Sequence, residues 1–185
     1  MKATDLLRDD HQLIERMLAA LAMATVQLEQ GDSVRPGFFL GVVEFFEGFV
    51  HGLHYRREEG VLFAAMERAG APRTAGPIGV AIREHGASRV ATRTMRSAAE
   101  RWQGGDESTR HDLADEARRY VSLLKQHIAR EDQLLFPMAE DMIPESDHFQ
   151  LLDGLMQLET GDRGKDFFGA LVAALEGEAG QEGNQ

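Results

Sequence analysis

The feature that most constrains this chain is a histidine followed four residues later by a glutamate, which occurs twice. One copy is HYRREEGVLF, which begins at His54 and includes Glu58, and the other is HIAREDQLLFP, which begins at His127 and includes Glu131. Residues four apart lie on one face of an α-helix, and in the second copy that face also carries Leu134. The pattern predicts that both polar pairs point into the apolar interior of a helical protein.

Stretches rich in glycine and proline divide the chain into four long helical segments. The breakers are GDSVRPG, GAPRTAGP and QGGDES. Proline is favoured in the first turn of a helix, whereas elsewhere it ends or kinks a helix, as we expect for Pro137. The predicted long helices cover residues 5–30, 36–69, 77–103 and 108–137, and the fourth could continue slightly beyond Pro137. After Pro144, the segments SDHFQLLDGLMQLE and KDFFGALVAALEGE predict two shorter amphipathic helices.

These segments predict an all-α protein. Four long helices joined by short connections indicate an up-down-up-down four-helix bundle, which we place at residues 1–143. The one or two short C-terminal helices would form an extension over residues 144–178 that packs on the bundle, and residues 179–185 are predicted to be a flexible tail. A length of 185 residues is enough to bury one sizeable core.

Apolar residues of the first and fourth segments recur at alternating spacings of four and three. This spacing is typical of the inward face of a bundle helix. Polar residues interrupt both faces: His11 lies on the first, and His127 and Glu131 lie on the fourth, ahead of Leu134 and Met138. Because a buried carboxylate without a partner costs several kcal/mol or more, these residues need partners inside the protein.

Four histidines, one from each long segment, are placed at matching heights. His11 lies 19 residues before the end of the first segment and His54 lies 18 residues after Pro36, which corresponds to roughly 28 and 27 Å of helix. His85 and His127 each lie 19 residues from the connection between the third and fourth segments. In an up-down bundle each pair meets at one height, and the connection GAPRTAGP, whose geometry the sequence defines only loosely, decides how the two pairs line up. We expect the four histidines to converge.

Four imidazoles and two carboxylates would then face one interior site. The candidate metal ligands are His11, His54, Glu58, His85, His127 and Glu131. One tetrahedral zinc takes four ligands, whereas two metal ions bridged by the carboxylates use all six. Mixed nitrogen and oxygen ligands suit iron, and the spacing leaves manganese and zinc open. A single pair could be a helix-surface contact worth a few tenths of a kcal/mol, but two pairs with two further histidines favour a metal site.

Four motif blocks resemble those of the hemerythrin-like, HHE cation-binding family. They are RDDH, HYRREEGVLF, PIGVAIREHGASR and LLKQHIAREDQLLFPMAEDMIPE, and the likeness spans residues 5–158. The resemblance implies a four-helix bundle with a non-haem di-iron centre, in which carboxylates and an oxo or hydroxo group bridge two iron ions. The ligand sets that it implies are His11 with His54 on one iron, His85 with His127 on the other, and Glu58 with Glu131 as bridges.

The chain departs from the oxygen-carrying hemerythrins at two positions. Those proteins have a second histidine four residues after the helix-three ligand, where this chain has Arg89, and their aspartate bridge lies five residues after the helix-four ligand, whereas the bridge expected here is Glu131, four residues after His127. The chain therefore resembles the H-HxxxE-H-HxxxE branch. Fewer histidines leave coordination positions open, which favours reaction with peroxide, oxygen or nitric oxide over reversible oxygen carriage.

The expected partners are small molecules. The leading expectation is a di-iron protein that reacts with or senses small oxidants or diatomic gases, and the alternatives are iron storage or donation for repair of iron centres and a structural zinc bundle. A net charge of −11 disfavours nucleic acid, and we find neither an apolar run of about 18 residues nor a signal peptide, so no membrane partner is expected. The absence of cysteine makes the cytoplasm the expected compartment.

Several further residues could assist the site. Tyr55 could add a phenolate ligand but is expected to pack in the core or at its rim, and His51 could be a ligand or proton relay but is expected at the rim. Arg89 could pair with a carboxylate near the cluster. Four acidic residues that adjoin candidate ligands could orient the imidazoles or remain solvated, namely Asp10, Glu59, Glu84 and Asp132. His111 and His148 are expected to be exposed.

Overall fold

The computed structural model describes residues 2–158 and 163–181, and within these ranges the chain is helical apart from short connections. Four long helices come first: α1 is Ala3–Gln30, α2 covers 36–68, α3 is Gly76–Gln103 and α4 covers 109–142. Two shorter helices follow, α5 at His148–Gln157 and α6 at Lys165–Gln181. The all-α prediction is confirmed for these residues, and none of these helices has an apolar stretch long enough to cross a membrane.

The observed helix ends agree with the sequence prediction to within a few residues, with two differences. Pro137 does not end α4, which continues to Met142. At the C-terminus α6 reaches Gln181, so residues 179–181 of the predicted tail are helical, while residues 182–185 lie outside the described residues. The domain boundary at residue 143 stays a prediction.

Two apolar cores follow one another along the long helices, and the candidate ligands lie between them. The larger core contains Ile14 and Leu124, and the smaller core contains Leu7 and Leu135. Along α1 the smaller core comes first, then His11, then the larger core, and α3 has the same order. Along α2 and α4 the order is reversed, so α1 and α3 run in the opposite sense to α2 and α4. Helix α4 packs on both α1 and α3, and α3 also packs on α2.

Helices α2 and α4 contain π-helical stretches at Phe46–His54, Glu58–Leu62 and Glu131–Leu135. A π turn holds more residues than an α turn, and such turns often occur at functional sites. The stretch in α4 shifts the register of the residues that follow, so Leu135 is buried whereas Leu134 is 53% exposed. The predicted inward position of Leu134 is therefore wrong, because the sequence pattern was projected onto an unbroken α-helix.

Helices α5 and α6 pack on the outside of α1 and α2. Phe168 and Leu175 of α6 join the larger core, and Leu151 and Leu155 of α5 join the smaller core. The ring of Phe168 lies close to the backbone of Gly48 in α2. A Cβ added to Gly48 would lie 2.5 Å from this ring. The absence of a side chain at this position on α2 is therefore needed for α6 to dock as it does.

We predict that Gly48→Ala destabilises the protein, because the added methyl group must displace the Phe168 ring. Overpacking of this kind costs about 1–3 kcal/mol. Gly60→Ala is the matched control: Gly60 is an exposed glycine of the same helix with nothing within 4 Å of its Cβ position, and alanine there gains about 0.5–1 kcal/mol. Urea unfolding measures both, and equal stability of the two variants would contradict the close contact.

Candidate metal centre

The structure brings the six predicted ligand residues together between the two cores. They form two overlapping groups, and within each group the candidate ligand atoms lie within 4.8 Å of one another. One group contains His11 and His54, the other contains His85 and His127, and both contain Glu58 and Glu131. The predicted convergence of the four histidines is confirmed, and the ring centroids of each histidine pair are 4.9 Å apart.

Each glutamate lies between one histidine of each group. Oε2 of Glu131 is 3.2 Å from Nε2 of His11 and 3.3 Å from Nε2 of His127. The Glu58 carboxylate is 3.5 Å from Nε2 of His54 through Oε1 and 3.2 Å from Nε2 of His85 through Oε2. A glutamate in this position can share its two oxygens between two ions.

The inward-facing atoms fit a pair of cations. The Nε2 atoms of the four histidines and all four carboxylate oxygens of Glu58 and Glu131 are buried, and none has a hydrogen-bond partner among the described residues. Buried polar atoms without a partner are uncommon and costly in native proteins. Positive ions placed among these eight atoms would satisfy them all, so the residues present fit a metal pair.

A second set of carboxylates faces the outer nitrogen of each histidine. The Nδ1 atom lies 3.0 Å from Asp132 in His11, 2.7 Å from Glu59 in His85, 2.9 Å from Glu84 in His127 and 3.5 Å from Asp10 in His54. Each of these acidic residues adjoins a candidate ligand on the neighbouring helix, so the contacts run from α1 to α2, α3, α4 and back to α1. A carboxylate on Nδ1 fixes the orientation of an imidazole and raises its basicity. Of the two alternatives, the geometry supports orientation for Asp132, Glu59 and Glu84, whereas Nδ1 of His54 makes no hydrogen bond with Asp10.

An arginine on the same helix as each histidine, three or four residues away, faces the carboxylate that lies opposite the outer nitrogen of that histidine. The four pairs are Arg8 with Asp132, Arg57 with Asp10, Arg89 with Glu59, and Arg130 with Glu84. The pairing expected for Arg89 is confirmed. The other three arginines were missed, although their regular spacing from the histidines was a usable signal. Lys165 of α6 also binds Asp10, and no comparable spacing in the sequence indicates this contact.

The surrounding carboxylates change the pKa values of the metal-free site. Burial lowers the pKa of His11, but the adjacent carboxylates of Asp132 and Glu131 outweigh burial and raise the pKa to about 10. The pKa of His85 is likewise raised well above its ordinary value by carboxylates that outweigh burial. Burial raises the pKa of Glu131, yet the adjacent histidines hold this pKa well below its ordinary value. Without metal, the site therefore favours ion pairs between imidazolium and carboxylate.

Tyr55 and His51 lie beside the candidate ligands and belong to neither group. The ring of Tyr55 is buried and stacks on the His85 imidazole, with centroids 3.6 Å apart, as expected for a packing role. Nε2 of the half-buried His51 lies 3.1 Å from Oγ of Ser88, which lies 3.0 Å from the hydroxyl of Tyr120. Burial lowers the pKa of His51 to about 4, so this imidazole is neutral at pH 7.

The remaining residues differ in how far the structure matches the expectation. The side chain of His111 is exposed as expected, whereas His148 is half-buried, because its ring donates to the carbonyl of Ile143.

Asp132 lies five residues after His127, which is the spacing of the aspartate bridge in oxygen-carrying hemerythrins. In this chain Asp132 faces the outer nitrogen of His11, and the inward carboxylate is Glu131.

Comparison with known proteins agrees with this site. The family model described as "Hemerythrin HHE cation binding domain" matches residues 2–139. Uncharacterized proteins of Mycobacterium tuberculosis and Mycobacterium bovis are 25% identical to this chain over 139 residues, which is 75% of the chain and 53% of each relative. The chain thus spans about half the length of the curated relatives it matches. No solved structure matches the chain.

The match with the family model covers the first three long helices, α4 as far as residue 139, and all six candidate ligands. The chain therefore belongs to the hemerythrin HHE cation-binding domain family. Its described residues form helices and no strands, and its buried histidines and glutamates form two groups with the spacing of metal ligands.

We predict that the metal-free protein loses stability as the pH rises from about 6.5 toward 10. The pKa of His11 is about 10 in the folded metal-free state and about 6.5 when unfolded, so its stabilising charge is fully present below the lower value and is lost on approach to the higher. Thermal melting of the metal-free protein over this range measures the effect.

The control for this pH prediction is Asp132→Asn, which removes one of the two carboxylates that raise the pKa of His11. Its melting temperature should change less over the same pH interval. Equal melting temperatures of the metal-free parent at pH 6.5 and pH 10 would contradict the prediction.

Proposed function

We propose that this chain is a non-haem di-iron protein with an up-down-up-down four-helix bundle that reacts with or senses peroxide, oxygen or nitric oxide. The observation that carries the proposal is the set of eight buried inward-facing atoms without hydrogen-bond partners. Membership of a cation-binding family and the alternating directions of the long helices support it.

The proposed ligand sets follow the two groups of residues. His11 and His54 would hold one ion, His85 and His127 would hold the other, and Glu58 and Glu131 would contribute to both. Each ion would then have four protein ligands, two of them shared. Mixed nitrogen and oxygen ligation with room for a further ligand suits iron more than a structural zinc, which is normally closed by four ligands of its own. Bound iron would supply one-electron redox chemistry and positions at which a small molecule can bind.

The chain's own residues hold and enclose the proposed centre. The carboxylates of Asp132, Glu59 and Glu84 accept hydrogen bonds from the outer nitrogens of three histidines and so keep the inner nitrogens free for metal. Aromatic rings cover two of the histidines: Phe136 stacks on His11 with centroids 5.3 Å apart, and Tyr55 stacks on His85. These contacts keep bulk water away from the inner face of the site.

An apolar pocket between α3 and α4 supports the small-molecule part of the proposal. Its volume is about 260 Å³, its aliphatic wall includes Val80, Leu134 and Leu135, and Glu131 forms part of the same wall. A peroxide or a diatomic gas fits easily in such a volume, since a water molecule in the liquid occupies about 30 Å³. The pocket therefore offers an uncharged small molecule a place beside a proposed bridging ligand.

We predict that the parent protein purified from iron-replete cells binds about two irons per chain, as the two groups of ligand residues imply. Glu131→Ala removes a ligand from both ions and should lose most of the iron, whereas His11→Ala removes one ligand from one ion and should lose only part. Elemental analysis and the near-ultraviolet charge-transfer absorption of ferric iron measure these contents.

The matched control for the metal-content prediction is Glu100→Ala, which changes an exposed glutamate of α3 and should keep the parent iron content. Full iron in Glu131→Ala would exclude it as a ligand. Peroxide turnover with retained iron supports the leading function, whereas ready transfer of iron to an apo-acceptor without turnover supports iron donation.

We predict that Val80→Trp slows ligand binding several-fold, because the indole fills the pocket beside Glu131. Stopped-flow mixing of nitric oxide with the iron-loaded protein measures the association rate. The matched control is Val90→Trp on the same helix, where the valine is 54% exposed and lies outside the pocket. Iron content is measured for both variants, and equal association rates at equal iron content would remove the pocket from the proposal.

A further inference from the structure

The C-terminal segment reaches the candidate metal centre through Asp10. This aspartate is fully buried, and its carboxylate receives two cations: Nη1 of Arg57 at 2.8 Å and Nζ of Lys165 at 2.9 Å. Lys165 is the first residue of α6, which lies beyond the part of the chain that the family model matches. A residue outside that match therefore contacts the carboxylate next to His54.

The same C-terminal segment also positions Arg57. Nε of Arg57 donates to the carbonyl oxygen of Leu155 at 2.9 Å, and Nη2 donates to that of Leu158 at 3.3 Å. Both carbonyls belong to α5 or directly follow it. The two cations that hold Asp10 thus both depend on α5, Leu158 and α6.

The contact between Asp10 and its histidine differs from the three equivalent contacts. Nδ1 of His54 lies 3.5 Å from Asp10, whereas the corresponding distances to Asp132, Glu84 and Glu59 are 3.0, 2.9 and 2.7 Å. Those three acidic residues are partly exposed and each faces one arginine, while Asp10 is buried and faces two cations. The Asp10 carboxylate faces both cations, and Nδ1 of His54 has no hydrogen-bond partner among the described residues, so His54 has the weakest acceptor of the four.

A weaker acceptor at Nδ1 makes an imidazole a weaker metal ligand, because a strong acceptor raises the basicity of the inner nitrogen. We propose that the C-terminal segment makes the two metal positions unequal, by holding Asp10 away from His54 so that the ion on His11 and His54 is released more readily. Lys165 is a positioning residue in this arrangement. The inference rests on the proposed binding of two metal ions.

The test follows iron release from the full-length, iron-loaded protein into an excess of a ferrous chelator under reducing conditions. The parent should release its two ions in two phases of equal amplitude. Lys165→Met removes one of the two cations that hold Asp10 away from His54 and should slow the fast phase by about tenfold, the lower end of the usual effect of such outer contacts, while the slow phase stays as in the parent. A fast phase in Lys165→Met that is unchanged or faster overturns the proposal.

Two control variants separate a specific effect from a general one. Lys165→Arg keeps a cation at Asp10 and should release iron as the parent does. Lys125→Met removes an exposed lysine of α4 and should also match the parent. Slowing of the fast phase in Lys125→Met to the same extent as in Lys165→Met would also overturn the proposal.

A second readout does not depend on release rates. In the cobalt(II)-loaded protein, the exchangeable Nδ1 proton of each ligand histidine gives a strongly shifted proton NMR signal, and Lys165→Met should move one of the four signals. Loss of that signal in His54→Ala assigns it, and four unmoved signals overturn the proposal. A parent that binds no pair of ions refutes the proposed function, whereas a parent that binds two equal ions refutes only the present inference.

Discussion

The burial of two glutamate side chains inside an apolar helical protein is the constraint on which the rest of the structure depends. Glu58 and Glu131 are 0 and 1% exposed, and their four oxygens have no hydrogen-bond partner among the described residues. A carboxylate in such a position is tolerated when positive charge lies beside it. Each glutamate lies between histidines of two different pairs. The position that requires positive charge is therefore bordered by all four long helices.

The carboxylates that face the outer nitrogens of the histidines are themselves paired with cations. Six carboxylates lie in or around the site, and the cations that face the outer four are four arginines and one lysine. Each outer carboxylate adjoins a candidate ligand of one helix and faces the outer nitrogen of a histidine of the next. Docking one helix against its neighbour therefore also orients the histidine there, which ties the formation of the site to the assembly of the fold.

The sequence alone predicts the features that follow from the regular period of an α-helix. The depth of His11, His54, His85 and His127 follows from counting residues to the nearest connection, and their convergence was predicted correctly. Leu134 was misplaced because the π-helical stretch at Glu131–Leu135 changes the register locally, and period-based reasoning assumes an unbroken helix. The contact between Lys165 and Asp10 joins residues 155 positions apart, and its existence depends on how α6 docks, which no local pattern contains.

The docking of α6 links the packing of the fold to the chemistry of the centre. Gly48 allows Phe168 to approach α2, and this same helix α6 brings Lys165 to Asp10, while α5 provides the carbonyl of Leu155 for Arg57. Without these helices, Asp10 would lose one of its two cations, and the other would lose its anchoring carbonyls. The family match at residues 2–139 covers the six candidate ligands but not α5 and α6, whose residues contact Arg57 and Asp10. Members of the family that share the ligand residues can therefore differ in how strongly each metal position binds its ion, according to what packs beside Asp10.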